Sequence, residues 1–192
     1  DVLRPQDVLE NLLGYRFIQR DTLGRHYEGT NAFEVAGIID KKRKRVEVSR
    51  QFPLETMRYT VAHELGHAIL HPGTIMHRDR GIDGSKVNRN AVERQADKFA
   101  AFFLMPGKIV HQVFNDIFGA PFISINENTV FQLGAGSIES FRKKCTDIHG
   151  FAREIAKANR YGVKKITPLH QLFQVSEGAM AFRLEELGLV RF

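Results

Sequence analysis

The stretch that decides the fold reads PLETMRYTVAHELGHAILHPG and occupies residues 53–73. Pro53 suits the first turn of a helix, and the pair Pro72-Gly73 ends one. The residues between them include apolar side chains on most faces, among them Val61 and Leu65, which is typical of a helix that is largely buried. The sequence therefore predicts one buried helix from about Pro53 to His71.

Two histidines lie four residues apart in the middle of this helix. Positions four apart differ by about 40° around the helix axis and by about 6 Å along it, so the imidazoles of His63 and His67 can face one point. Two such rings make half of a tetrahedral zinc site, and Glu64 can lie beside the open coordination position. The alternative is a pair of hydrogen-bonded core histidines, which burial in an apolar helix makes costly.

A third ligand is needed, and the next predicted helix, Asn90 to Leu104, supplies the best candidate. His71 continues the four-residue spacing but lies about 12 Å along the axis from His63, too far to share one ion. Glu93 heads a stripe of small residues on which a second helix can approach closely, and Asp97 follows one turn later. We expect Glu93 as the third ligand and Asp97 as acceptor of a histidine Nδ1 hydrogen. An exposed carboxylate in a salt bridge is the alternative for Glu93.

Strands are predicted before the buried helix and further helices after it. The basic turn over residues 41–44 connects two arms of a predicted β-hairpin, where its charge also protects an edge strand. A polar loop is predicted for residues 74–88 and an irregular segment for residues 120–136. The other predicted elements are a helix over 5–13, strands over 15–20, 33–40 and 45–49, and helices over 108–118, 138–158, 168–173 and 176–187, the last with Ser176 as its N-cap.

Composition limits the class of protein. The chain has 192 residues, of which 43% are hydrophobic, enough for one core or for a core with a small satellite. No apolar run approaches the roughly 20 residues that span a bilayer. Cys145 is the one cysteine. An internal disulfide is therefore excluded, and we expect a reducing compartment, the cytoplasm, and no membrane partner.

The net charge of +6 is concentrated in one stretch. Between Phe141 and Lys165 there are eight basic residues, opposed only by Asp147 and Glu154. Such a surplus can contact nucleic acid or an acidic partner, although a solvated helix face is the more common reason for it.

Two blocks of sequence carry a family resemblance. Residues 58–71, RYTVAHELGHAILH, resemble the active-site helix of the ImmA/IrrE-type metallopeptidases, and residues 93–106, ERQADKFAAFFLMP, are similar to that family's second helix. The HExxH and ExxxD pattern is that of the gluzincins, the thermolysin-like arrangement. A weaker likeness, between Phe173 and Leu189, is to the family's C-terminal helix-turn-helix-like segment.

The resemblance implies a fold, a site and a substrate class. The fold is α+β and zincin-like, with a small, mostly antiparallel sheet packed on the HExxH helix and a helical C-terminal half. The implied domains are a metallopeptidase core over residues 1–106 and a helical region over residues 107–192, which can also pack as one unit. His63, His67 and Glu93 fall on the metal ligands, and Glu64 falls on the catalytic glutamate.

Members of this family cleave helix-turn-helix repressors of the Xre type, which derepresses stress or mobile-element genes. We therefore expect a zinc-dependent endopeptidase, with manganese or iron open as the metal in the cell. His77, Tyr59 and Arg58 are candidates for contacts to the oxyanion or the substrate.

Two other classes of function stay open. One is a DNA-binding regulator or toxin–antitoxin partner with a vestigial metal site, in which Arg183, Lys164 and Lys165 would contact DNA. The other is a zincin that acts as a general housekeeping peptidase.

Overall fold

The computed structural model describes residues 4–28, 31–73, 76–80 and 91–192, with the side chains of residues 28, 31 and 76–80 excluded. The chain forms two compact units, residues 1–104 and residues 105–192. The predicted assignment of a metallopeptidase core to residues 1–106 and of a separate helical region to residues 107–192 stays a prediction.

Five strands form the sheet of the first unit. In chain order they are β1 Arg16–Arg20, β2 Arg25–Glu28, β3 Asn31–Asp40, β4 Arg45–Ser49 and β5 Met76–Arg80. The spatial order is β1-β4-β3-β2, and β5 pairs with β3 as well. Every pairing is antiparallel except β1 with β4, which is parallel. The prediction of a small, mostly antiparallel sheet is confirmed.

The predicted hairpin and its basic turn are present. Asp40 of β3 pairs with Arg45 of β4, and residues 41–44 form the turn between them. Two strands were not predicted: β2 reads RHYE, and β5, which reads MHRDR, lies inside the predicted polar loop. Both are rich in charged and polar residues, so neither shows the alternation of apolar residues by which a strand is recognised in sequence.

The first unit also contains two long helices. Helix α2 is Leu54–Leu70, preceded by Pro53 as its N-cap and ended by His71, and α3 is Ala91–Leu104. A short N-terminal helix, α1 Pro5–Asp7, continues as the π-helical segment Val8–Leu12. Buried apolar residues of α2, of the strands and of the N-terminal segment form the core: Leu9, Ile39, Val46, Val48, Met57, Val61 and Leu65.

The second unit is mostly helical. Its helices are α4 Gly107–Phe118, α5 Glu127–Leu133, α6 Ile138–Lys144, α7 Ile148–Ala156, α8 Leu169–Leu172 and α9 Glu177–Glu186. Its strands are two-residue pairs: β6 Ile123–Ser124 with β9 Val190–Arg191, and β7 Arg160–Tyr161 with β8 Lys164–Lys165. Helices α8 and α9 lie where helices were predicted over residues 168–173 and 176–187, and their likeness to a helix-turn-helix stays a prediction.

Side-chain caps explain where prediction and structure differ in this unit. The side chain of Asp147 accepts a hydrogen bond from the Gly150 amide and starts α7, so the predicted single helix over residues 138–158 is two helices. Asn126 caps α5 in the same way, inside the segment predicted to be irregular. Ser176 caps α9 as predicted. Among the described residues, no helix combines the length and apolar character needed to cross a membrane.

Candidate metal centre

Helix α2 buries three ionisable side chains at its middle. His63, Glu64 and His67 have no solvent-exposed surface, and the helix packs against β3 and β4 on one side and α3 on another. Polar groups removed from water in this way must bind a partner, because an unsatisfied buried polar group costs several kcal/mol, about 2–7 by transfer measurements. Burial of His63, Glu64 and His67 therefore requires polar or metal partners for them inside the protein.

The two histidines and Glu93 direct one ligand atom each toward a common point. The Nε2 atoms of His63 and His67 are 3.0 Å apart. Glu93 Oε2 lies 3.3 Å from His63 Nε2, and Glu93 Oε1 lies 3.4 Å from His67 Nε2. Within the described part of the chain, His63, His67 and Glu93 form a group of three potential metal ligands, with one donor atom of each within 4.8 Å of the other two.

These separations can be compared with what a metal ion requires. Zinc–ligand bonds of about 2.0–2.1 Å in a tetrahedron place neighbouring donor atoms about 3.3–3.4 Å apart. Each imidazole nitrogen lies at about this distance from one oxygen of Glu93, Oε2 for His63 and Oε1 for His67, and the Nε2–Nε2 distance is a few tenths of an ångström shorter. Two imidazoles and one carboxylate therefore fit a divalent metal, with one tetrahedral position left for water or substrate.

Close packing of α2 on α3 brings Glu93 to the histidines. A Cβ on Gly66 would lie 3.2 Å from the Cα of Ala96 and 3.2 Å from the Cβ of Phe99, so the absence of a side chain permits the short distance. Ala96 and Ala100 of α3 are fully buried, as the predicted stripe of small residues requires. The importance of Gly66 was missed, although its place between two histidines on a buried helix is a signal for helix–helix approach.

Asp97 orients one of the two imidazoles. Its Oδ1 atom lies 2.9 Å from Nδ1 of His63, and its main-chain carbonyl accepts a 2.9 Å hydrogen bond from the hydroxyl of Tyr59. A carboxylate that accepts the Nδ1 hydrogen leaves the Nε2 lone pair of His63 directed at the metal position. Tyr59 and Asp97 thereby join α2 to α3 beside the candidate ligands.

Glu64 lies against the backbone of β3. A Cβ on Gly37 would come within 2.8 Å of Glu64 Oε1 and within 2.5 Å of Thr60 Cγ2, so a side chain at this position would collide with the carboxylate. The β3–β5 register shifts between Val35 and Gly37, which marks a bulge in the strand beside the site. Gly37, like Gly66, was not identified from the sequence.

Lys41 follows β3 and contributes a positive charge near the end of α2. Its ammonium group donates a hydrogen bond to the main-chain carbonyl of His71, the residue that ends the helix. Burial lowers the pKa of Lys41, and the negative charge of Glu64 acts in the opposite direction. A cation at this end of the helix also complements the helix dipole.

The three residues predicted to contact the substrate or the oxyanion lie in surroundings that differ from one another. The Tyr59 hydroxyl is engaged by Asp97, and Tyr59 is buried, so its observed contact joins the two helices. Arg58 is half-buried on α2, and burial lowers its pKa. His77 lies on β5, where its backbone pairs with Ile39, and its side chain lies outside the described residues.

The residues predicted to contact nucleic acid lie in the second unit. Arg183 is 5% exposed; its Nε donates to the main-chain carbonyl of Met105 and its Nη1 contacts Glu186 at 2.6 Å. These contacts engage the Arg183 guanidinium inside the protein, which does not favour the predicted DNA contact, and that contact stays a prediction. Lys164 and Lys165 are exposed on β8.

Comparison with known proteins gives the family. No curated protein matches the chain. The family model described as Peptidase_M78, IrrE N-terminal-like domain, matches residues 16–120, a span that contains the whole candidate metal centre. Because this match covers more than half of the chain, the resemblance seen in the sequence is confirmed, and the chain belongs to the Peptidase_M78 family of ImmA/IrrE-type metallopeptidases.

Proposed function

We propose that this protein is a metal-dependent endopeptidase that uses zinc. The observation that carries the proposal is the convergence of His63 Nε2, His67 Nε2 and a carboxylate oxygen of Glu93 on one point, on a helix in which the residue after His63, Glu64, is fully buried. Metal sites with three protein ligands are typical of hydrolytic enzymes, because the remaining position is open. A structural zinc site normally has four protein ligands.

The roles follow from the chemistry of the side chains. His63, His67 and Glu93 hold the ion, which when bound supplies the Lewis acidity that polarises a peptide carbonyl and lowers the pKa of water. Asp97 holds His63 in the tautomer that presents Nε2. The Glu64 carboxylate accepts a proton from the attacking water at Oε and later delivers it to the leaving amine.

The position of Glu64 suits it to this task. It follows His63 directly on α2 and is fully buried, and the β3 backbone at Gly37 restricts its carboxylate. A restricted carboxylate needs less reorganisation when the proton moves. Of the predicted oxyanion donors, His77 and Arg58 stay candidates, since the Tyr59 hydroxyl binds the Asp97 carbonyl.

We further propose that the substrate is a helix-turn-helix repressor of the Xre type, so that cleavage derepresses stress or mobile-element genes. The support for this step is the family resemblance of residues 58–71 and 93–106. The cytoplasmic location expected from the single cysteine, Cys145, belongs to the same proposal.

Metal content tests the site. We expect plasma mass spectrometry to find about one zinc per chain in the wild type and a large loss in Glu93→Ala, because one of three protein ligands is removed. Glu139→Ala is the matched control, since Glu139 is an exposed glutamate in the first turn of α6. No zinc in the wild type after zinc is added back, or full zinc in Glu93→Ala, would overturn the ligand assignment.

Cleavage tests the activity and the substrate class separately. The zinc-loaded protein is incubated with purified Xre-type repressors from the same genome and with casein, and the products are identified by mass spectrometry. Cleavage of the repressor but not of casein supports the proposed substrate, whereas cleavage of casein indicates a general peptidase. If neither is cut and the protein binds DNA in a salt-sensitive manner through Lys164 and Lys165, the alternative of a DNA-binding regulator gains support.

A further inference from the structure

His71, the residue that follows and ends α2, belongs to neither the ligand group nor the proposed proton transfer. It ends the helix one turn after His67, and the centroids of the two imidazole rings are 5.0 Å apart. Its Nδ1 lies 3.0 Å from Nδ1 of His67, and its Nε2 lies 2.9 Å from Oε1 of Gln95 on α3. The three side chains form a continuous line from a candidate ligand to an exposed glutamine.

The direction of the hydrogen bonds along this line is fixed by the ligand at its inner end. A neutral imidazole has one donor nitrogen and one acceptor nitrogen. His67 binds a metal through Nε2 only when that nitrogen has a free lone pair, so its hydrogen lies on Nδ1. His71 must then accept at Nδ1 and carry its own hydrogen on Nε2, which is the atom that faces the Gln95 carbonyl oxygen.

We propose that His71 is a positioning residue that orients His67 for metal binding and selects the tautomer of His67, with Gln95 holding His71 in the complementary tautomer. This inference rests on the proposed function, since it concerns how the same metal centre is held. The two candidate histidine ligands are thus oriented by different means: His63 by the Asp97 carboxylate, His67 by a neutral imidazole.

One further contact holds His71 in place for this role. Lys41 binds the main-chain carbonyl of His71, which ties the end of α2 to the turn after β3. Gln95 lies between Glu93 and Asp97 in the sequence of α3, so this helix supplies a candidate ligand, the outer contact of His63 and the partner of His71. His71 and Gln95 add no negative charge near the metal position, whereas a carboxylate in the place of His71 would add one.

Zinc affinity is the readout, measured by competition with a chromophoric chelator on the full chain. We expect His71→Leu to weaken zinc binding about 10–100-fold, the usual cost of losing an outer partner of a metal-bound histidine. His71→Asn should recover most of this loss, because its amide oxygen can occupy the position of Nδ1 and accept from His67. His111→Leu is the matched control, as His111 is an exposed histidine on α4.

Gln95→Leu tests the outer end of the line. We expect a smaller loss than for His71→Leu, and no additional loss when Gln95→Leu is combined with His71→Leu, because Gln95 acts through His71. Long-range proton–nitrogen NMR of the zinc-loaded wild type supplies a readout that needs no substitution: the His71 hydrogen should be on Nε2.

The outcomes separate this inference from the function on which it rests. If the wild type binds no zinc, the proposed function fails and the inference fails with it. If the wild type binds zinc and folded His71→Leu binds it equally well, only the inference is overturned. It is likewise overturned if His71→Asn is as weak as His71→Leu, or if NMR places the His71 hydrogen on Nδ1.

Discussion

Glu64 is the residue on which the proposed chemistry depends most directly. It is fully buried next to a candidate ligand, and its carboxylate lies against the Gly37 backbone, so its position is set by packing on both sides. The sequence shows the residue type of Glu64 and its spacing to His63 and His67, because all three residues lie on one helix. That the carboxylate is confined by a strand is visible only in three dimensions.

The substitution Glu64→Gln separates proton transfer from metal binding. We expect zinc content and folding to be unchanged, since glutamine has the same shape and the three ligands remain. The turnover number for peptide hydrolysis should fall about 10²–10⁴-fold, because an amide cannot accept the proton from water. Parallel measurements of zinc content and kcat check this, and full activity of Glu64→Gln would disprove the general-base role.

At the scale of elements, α2 is positioned by two close approaches. Gly37 lets β3 approach one face of the helix at Thr60 and Glu64, and Gly66 lets α3 approach another face at Ala96. Neither glycine has a positive φ angle, so each is required for space and not for backbone conformation. The site is therefore built by packing of three elements, of which only the helices carry candidate ligands.

Gly37→Ala should disturb the proton-transfer residue while sparing the metal. The added methyl would meet Thr60 Cγ2 at 2.5 Å and Glu64 Oε1 at 2.8 Å, distances that force these side chains to move. We expect kcat to fall by about 10²-fold, which is what a misplacement of about 1 Å can cost, with zinc content unchanged. Gly73→Ala is the control, because a Cβ on Gly73 would meet nothing within 4 Å. Wild-type kcat in Gly37→Ala would contradict the role assigned to the strand.

Gly66→Val should instead disturb the metal. A side chain here would press on the Ala96 backbone and on Phe99 and move α3 away, and Glu93 would move with it. We expect a loss of about 1–3 kcal/mol in the free energy of unfolding from overpacking, together with weaker zinc binding. Chemical denaturation and a zinc competition assay check the two effects. A stable Gly66→Val protein with undiminished zinc affinity would show that the approach of α3 is not needed.

At the scale of the whole molecule, all the candidate ligands lie in the first of the two compact units. A ligand that binds only the folded state stabilises it by RT ln(1 + [L]/Kd), about 2.7 kcal/mol at 100 times Kd. The second unit holds none of these ligands, so the stabilisation should be confined to the first.

Metal removal tests this separation. We expect a chelator to lower the unfolding temperature of the wild type, and the increase in amide hydrogen-exchange protection on zinc binding to map to residues 1–104. Glu93→Ala should respond weakly to either treatment. Equal changes in protection across residues 105–192 would contradict the assignment of the site to one unit.

Rules that involve only residues close in sequence are enough to predict much of this structure. Helical periodicity and flanking prolines predict α2, and the four-residue spacing predicts that His63 and His67 face one point, because both depend only on neighbouring residues. The same reasoning predicts the hairpin of β3 and β4 and the serine cap of α9. It also suggests Glu93 and Asp97 as partners, since they recur on one face of the next helix.

The tertiary structure decided what depends on residues distant in sequence. The polar strands β2 and β5 form because β3 offers them a partner, and nothing in their own pattern requires it. Arg183 is buried with contacts to Met105 and Glu186, which its charge and its place in the sequence do not indicate. The sequence by itself determined which side chains α2 presents, because helix geometry is local. Only packing against β3 and α3 determined the distances at which those side chains meet their partners, because these depend on the space that Gly37 and Gly66 leave.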